Sequence, residues 1–214
     1  MPEKHLARLL SRFSEITPLR NEILIAYEMI KKCYSEGNTL FICGNGGSAA
    51  DSEHLVAELM KGFILPRKIT DTKLLSKFEL LYGEDGKTLV NSLQNGLRAI
   101  SLMSHPSLNS AYSNDVNPEM VFAQQLFVLA KPGDILIGIS TSGNSKNVRR
   151  AIQLANVIGV ETILLTGING GKCEMLSKCV IKAPSHETFI IQEYHLPIYH
   201  TLALMLEEYF YGSK

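Results

Sequence analysis

Five short, nearly continuous apolar runs punctuate the chain, at residues 39–43, 98–103, 134–139, 162–165 and 179–182. Runs of this length with no polar alternation predict strands buried on both faces. Between them, apolar residues recur three and four apart. Residues 4–16 and 18–36 predict two opening helices. The second carries Leu19, Ile23, Ala26, Tyr27 and Ile30 at helical spacing, with Pro18 near its start and Gly37 past its end. Further helices are predicted at 48–60, 118–130, 144–157 and 171–177, and a long closing one within 189–210. Strands alternating with helices make an α/β fold whose parallel sheet is covered on both sides. Ligands in such sheets bind beyond the carboxyl ends of the strands. Residues 66–95 interrupt the alternation with Lys68, Lys73, Lys77, Glu79, Lys87 and the turn Gly83-Glu84-Asp85-Gly86. They read as a surface insertion with a short helix near 72–82. The remainder reads as one domain over 1–214, with 1–37 as its N-terminal helical part.

Composition narrows the function classes. The chain has 214 residues, 45% of them apolar, enough for a sizeable core. Lys plus Arg and Asp plus Glu both number 21, so no basic field exists to track a nucleic-acid backbone. No apolar run approaches the ~20 residues that span a bilayer, and the polar opening Met1-Pro2-Glu3-Lys4-His5 does not read as a signal peptide. Cys33, Cys43, Cys173 and Cys179 show no CxxC spacing and read as reduced thiols in or near the core. The expectation is a cytoplasmic globular protein with neither a nucleic-acid nor a membrane partner.

Two loops carry the chemistry. Cys43-Gly44-Asn45-Gly46-Gly47-Ser48 and Ser140-Thr141-Ser142-Gly143-Asn144-Ser145 each follow an apolar strand and open a helix. Such loops aim backbone N–H groups, hydroxyls and a helix N-terminus at one spot, which suits a phosphate. The first lacks both the GxGxxG spacing and the Gly-Lys-Ser/Thr of a nucleotide loop. The second is rich in hydroxyls beyond the needs of a helix cap, for which Ser145 or Asn144 suffices. His54 and Glu58, four apart on the helix after the first loop, share one face. Gln192, Glu193, His195 and His200 lie along the last helical stretch. Gln192 and His200 stand about 12 Å apart on a straight helix, so Pro197 is expected to break or start the helix between them. His195 reads as a core or interface histidine. Asp115, within Ser113-Asn114-Asp115, reads as a loop residue able to accept hydrogen bonds from hydroxyls.

Taken together, Gly44-Asn45-Gly46-Gly47-Ser48 through Glu58, Asn114-Asp115, Gly138 through Ser145, Thr166-Gly167 and Gln192-Glu193-x-His195-x4-His200 resemble the sedoheptulose 7-phosphate isomerase (phosphoheptose isomerase) family of the sugar isomerase (SIS) domain group. The resemblance runs from about residue 20 to the C-terminus, apart from the insertion. It implies a flavodoxin-like three-layer sandwich on a five-stranded parallel sheet. It implies a homotetramer with active sites at subunit interfaces, and phosphate held by Ser140, Thr141, Ser142 and Ser145. Asn45, Gly46, Gly47, Ser48, Asn114, Asp115 and Gln192 would line the sugar. Zinc would be held by His54, Glu58, Gln192 and His200, a ligand set compatible with that ion. Glu58 is the implied base and His200 the acid or second base of an aldose–ketose isomerisation through an enediol. Three departures stand out. Lys61-Gly62-Phe63 replaces the Gly-Arg-Phe of many relatives, so Lys61 or Arg67 must take the place of that Arg. Phe189 occupies a position that is often Asp, and the insertion is long. They bear on the seven-carbon substrate and leave the phosphate site intact, so an isomerase of another phosphosugar is one alternative. The other is a non-catalytic domain that binds a sugar phosphate or a protein partner, against which His54, Glu58 and His200 all persist.

Overall fold

The apolar runs pair as the alternation predicts. The computed structural model describes residues 2–212. In chain order it runs α1 (Glu3–Arg12), a 3-10 segment (Ser14–Leu19), α2 (Arg20–Ser35), β1 (Leu40–Gly44), α3 (Gly47–Met60), α4 (Thr72–Ser92) and β2 (Ala99–Ser101). It continues through α5 (Pro106–Asp115), a 3-10 turn (Pro118–Met120), α6 (Val121–Leu129), β3 (Ile135–Ser140), α7 (Lys146–Ile158), β4 (Glu161–Gly167), α8 (Gly171–Glu174), β5 (Cys179–Ala183) and α9 (Thr188–Tyr211). The five strands form one sheet in the order β2-β1-β3-β4-β5. Every pairing is parallel, with Leu40 opposite Ile135 and Ile135 opposite Glu161. This is the flavodoxin-like order, and its chain reversal falls between β1 and β3. Both polar loops emerge there.

Strand alternation divides the core in two. Leu40 and Ile42 face a cluster built with α1, α2, α3 and α9, including Ile23, Ile30, Leu55, Leu59, Ile198 and Leu202. Phe41 and Cys43 face the opposite layer, with Phe122, Leu126, Val148 and Ile152 of α6 and α7. The three-layer sandwich follows from this two-sided burial. All four cysteines are buried and free. Burial pushes the Cys33 thiol up to about 12 and that of Cys179 to about 11, so both stay protonated and inert.

Four expectations need correction. The two opening helices are interrupted by the 3-10 segment, because Pro18 lies inside it and cannot supply an N–H to an α-helical ladder. The segment after β2 is helical: Asn114 and Asp115 close α5 rather than sit in a loop. The helix expected near 72–82 extends to Ser92 across a break at Gly83, whose φ of 54° admits glycine readily. Finally, Pro197 does not divide the last helix. Helix α9 runs unbroken from Thr188 to Tyr211. Burial of Ile191, Ile198, Tyr199, Leu202, Ala203, Met205 and Leu206 outweighs the ~3 kcal/mol that an internal proline costs.

His195 sits in this buried face as expected, fully enclosed, its Nε2 3.3 Å from the carbonyl oxygen of Thr166. Burial lowers its pKa from 6.5 to about 4. Folding therefore keeps it neutral where the unfolded chain takes up a proton. Its stabilising contribution is complete above pH 6.5 and is lost as pH falls toward 4, a swing of about 3 kcal/mol. Urea unfolding at pH 7 and pH 4.5 should show the native protein losing more stability than His195→Gln over that interval. Equal losses would rule this titration out.

Candidate active site

Helix α3 starts where β1 ends, and its first residue lies against α9. A Cβ on Gly47 would stand 2.5 Å from Nε2 of Gln192, so a larger residue here would displace the Gln192 amide. Gly46, with φ of 56°, turns the chain into α3. Asn45 projects the other way. Its amide exchanges two hydrogen bonds with that of Asn147 at 2.9 and 2.8 Å, locking the first loop to the start of α7. Ser48 is buried in the first turn of α3.

The second loop keeps its hydroxyls off the helix. Ser145 occupies the N-cap position of α7 but makes no capping bond with its side chain. Its Oγ accepts instead from Oγ of Ser140 at 3.0 Å. Asn144 bridges away from the loop, accepting from the backbone N–H of Lys172 at 3.0 Å. Gly143, with φ of 63°, lies so close to the Gly170 carbonyl that no side chain fits. Thr141, Ser142 and Asn144 line a cavity of about 200 Å³ with Gly167, Asn169, Ser185, His186 and Thr188. Sequence reading missed Ser185, His186 and Thr188. Their signal was available in Pro184-Ser185-His186-Glu187-Thr188, a polar turn at the end of a buried strand.

Farther along the same seam, three side chains converge. His54 Nε2 stands 3.4 Å from Glu58 Oε1 and 3.4 Å from His200 Nε2. The second spacing exists because α9 is continuous and runs alongside α3, setting Gln192 against Gly47 and His200 against His54. Burial, then the neighbouring His54, lowers the pKa of His200, partly opposed by Glu58. Lys61 Nζ lies 2.9 Å from Glu58 Oε2. On the far side of His54, the Tyr199 hydroxyl is 3.1 Å from Nδ1 of His54 and 3.3 Å from Oδ1 of Asp51. Burial chiefly, and the Asp51 carboxylate next, raise the Tyr199 pKa, so the hydroxyl stays protonated.

Donor chemistry and spacing here suit zinc in part. Two donors on one tetrahedral zinc, at about 2.0–2.1 Å each, lie about 3.4 Å apart. His54 keeps that spacing to both Glu58 and His200. Gln192, the fourth residue of the expected set, instead lies at Gly47. Among the described residues no group of three His, Cys, Asp or Glu side chains is placed to hold a metal ion. Asn114 and Asp115 stand apart from the convergence. They are exposed, bonded to one another at 2.8 Å, and line an open hollow with Pro106, Ser107, Ser110 and Ala111.

A family model for the SIS domain matches residues 3–82 and 78–167. The chain is 35% identical to the phosphoheptose isomerase of Geotalea daltonii over 200 residues, covering 94% of this chain and 88% of that one. It belongs to the phosphoheptose isomerase family of SIS-domain proteins. A second relative, the phosphoheptose isomerase of Crocosphaera subtropica, is 39% identical over 84% of this chain and 78% of its own. Among solved structures, the phosphoheptose isomerase of Neisseria gonorrhoeae matches with a TM-score of 0.74 and 29% identity over 96% of each chain. Membership in the phosphoheptose isomerase family makes the chain an isomerase.

The structure separates the two candidates for the missing family Arg. Arg67 is buried and fully engaged. Its Nε donates to Glu207 at 2.9 Å, and its other nitrogens donate to the carbonyls of Leu59 and Glu58 at 2.6 and 3.2 Å. Glu207 in turn accepts from the backbone N–H groups of Phe63, Ile64 and Leu65. Arg67 thus caps the C-terminal end of α3 and does not face a ligand. Of the two, Lys61, half exposed beside Glu58, is the one that faces the site. Arg67→Met should cost about 3–5 kcal/mol, because it leaves Glu207 charged and buried. Lys61→Ala should cost less than about 1 kcal/mol. Chemical denaturation of both variants checks the contrast, and equal losses would contradict it.

Proposed function

We propose that this protein converts sedoheptulose 7-phosphate to a heptose 7-phosphate through an enediol. The observation that carries the reading is the meeting of Glu58 and His200 at His54, on the same α3–α9 seam that begins at the Gly47 loop. Phosphate is held by Ser140, Thr141, Ser142 and Ser145, whose hydroxyls are not used to cap α7. Asn45, Gly46, Gly47, Ser48 and Gln192 line the sugar, and Asn114 and Asp115, which stand apart from this convergence within one chain, would contact its hydroxyls from a neighbouring subunit. The whole chain acts as one SIS domain, with 66–95 inserted.

Glu58 takes the proton from the hydroxyl-bearing carbon beside the ketone, while His200 gives a proton to the carbonyl oxygen. The product of that step is the enediol. Glu58 then returns its proton to the former carbonyl carbon, and His200 recovers one from the other hydroxyl, leaving the aldehyde. Lys61 Nζ, 2.9 Å from Oε2, holds the Glu58 carboxylate in place beside His54. Burial lowers the pKa of His200, so its ring is neutral, and the same surroundings make its N–H a better donor to the carbonyl oxygen. Zinc, held by His54, Glu58, Gln192 and His200, would polarise the two oxygens when bound. Support for it is the spacing at His54 and the family likeness. That likeness also underlies a cytoplasmic homotetramer with sites at subunit interfaces. Among the described residues no helix is long and apolar enough to cross a membrane.

In deuterium oxide, with and without added zinc, the protein should place deuterium beside the carbonyl of sedoheptulose 7-phosphate, followed by NMR. Glu58→Gln should slow this exchange at least about 100-fold while phosphosugar binding persists. Undiminished exchange in that variant would remove Glu58 as the base. No exchange in the native protein would overturn the reading.

A further inference from the structure

Tyr199 is fully buried in the α9 face of the core, yet its hydroxyl ends between two polar groups of α3. Such a hydroxyl has one proton and two candidate acceptors, the Asp51 carboxylate and Nδ1 of His54. The carboxylate decides the direction. Oδ2 of Asp51 is buried and has no partner among the described residues, so Oδ1 carries the group's one hydrogen bond from Tyr199. Turning the hydroxyl toward His54 would leave a buried carboxylate without a donor, which costs more than leaving a neutral imidazole nitrogen unbonded. The hydroxyl therefore donates to Asp51, and its lone pair receives the N–H of His54 Nδ1. A neutral imidazole holds one ring proton, so Nε2 is left bare and aimed at Glu58 and His200.

We propose that Tyr199 and Asp51 are positioning residues that fix His54 in its Nδ1–H tautomer and hold its Nε2 lone pair toward Glu58 and His200. His54 needs such a restraint. It is exposed, the rings of Tyr199 and His200 flank it edge-on at 5.7 and 4.8 Å, and Glu58 Oε1, 3.4 Å from Nε2, competes for the ring proton at longer range than the Tyr199 hydroxyl, 3.1 Å from Nδ1. Asp51 and His54 lie three apart on α3, while Tyr199 directly precedes His200 on α9. The relay thus also sets the spacing of the two helices at the point where the chemistry converges. A fixed outer partner of this kind orients a histidine ligand and raises its affinity for a metal.

The test uses the full-length, metal-free protein labelled with 15N-histidine. Long-range proton–nitrogen spectra report which ring nitrogen carries the proton, and loss of one signal set in His54→Asn assigns it among the six histidines. The native protein should show His54 protonated at Nδ1. Tyr199→Phe should give a mixture of tautomers. Asp51→Ala, which frees the hydroxyl to donate to Nδ1, should shift His54 to Nε2–H, and either variant alone suffices where the other fails to fold. Thermal midpoints serve as the check on folding. An Nε2–H tautomer in the native protein, or an unchanged Nδ1–H tautomer in both folded variants, overturns the proposal. Zinc titration against a chromophoric chelator adds a second arm, which rests on the zinc reading above. Native binding should weaken about 10–100-fold in Tyr199→Phe. Native protein that binds no zinc but keeps the tautomer pattern supports this proposal and refutes the zinc reading instead.

Discussion

Helices α3 and α9 lie side by side, and the close contact along that seam positions the groups discussed above. Three different interactions hold it. At one end the Gln192 amide of α9 fills the space beside Gly47, which has no side chain. In the middle Tyr199 reaches across to Asp51 and His54. At the other end the buried Arg67–Glu207 pair ties the last carbonyls of α3 to α9 and to the loop at 63–65. Steric fit, a directional hydrogen bond and a desolvated ion pair have different tolerances. Together they leave the seam little freedom to slide, which a two-helix site needs if donors are to stay within a few tenths of an ångström.

The sheet sets where this seam begins. Parallel pairing of β1 with β3 places the ends of both strands on one edge, and the chain reversal between them opens a crevice there. The first loop leads into α3 and so to the histidines. The second leads into α7, and its serine hydroxyls bond within the loop rather than to the helix. The Asn45–Asn147 amide pair fastens the first loop to the start of α7 across the crevice. An anion held by the hydroxyls and a carbon skeleton laid toward Glu58 would thus be referred to the same rigid frame, which is the geometric condition for proton transfer between neighbouring carbons.

Two features of the chain show how packing overrides local preference. Pro197 carries a strong local signal to end a helix, yet a face of apolar residues on both sides of it has nowhere else to go. The unbroken helix sets His200 beside His54 and leaves Gln192 at Gly47, so the expected four-residue constellation is gathered only in part. Arg67 carries a charge, which in a sequence suggests a surface or a ligand. Its burial depends on Glu207, 140 residues away, and such a pairing leaves no local trace.

The alternation of buried strands with amphipathic helices, the two Gly- and hydroxyl-rich loops, and the i,i+4 pair of His54 and Glu58 were legible in the sequence. They depend on periodicity and on short-range backbone geometry, which neighbouring residues encode. The resemblance of the motifs placed the chain in its family for the same reason. The sequence did not reveal the continuity of α9, the helical setting of Asn114 and Asp115, the buried role of Arg67, or the partnership of Tyr199 with Asp51 and His54. Each of these is decided by which distant surfaces exclude water from one another, and that is fixed only when the helices close over the sheet.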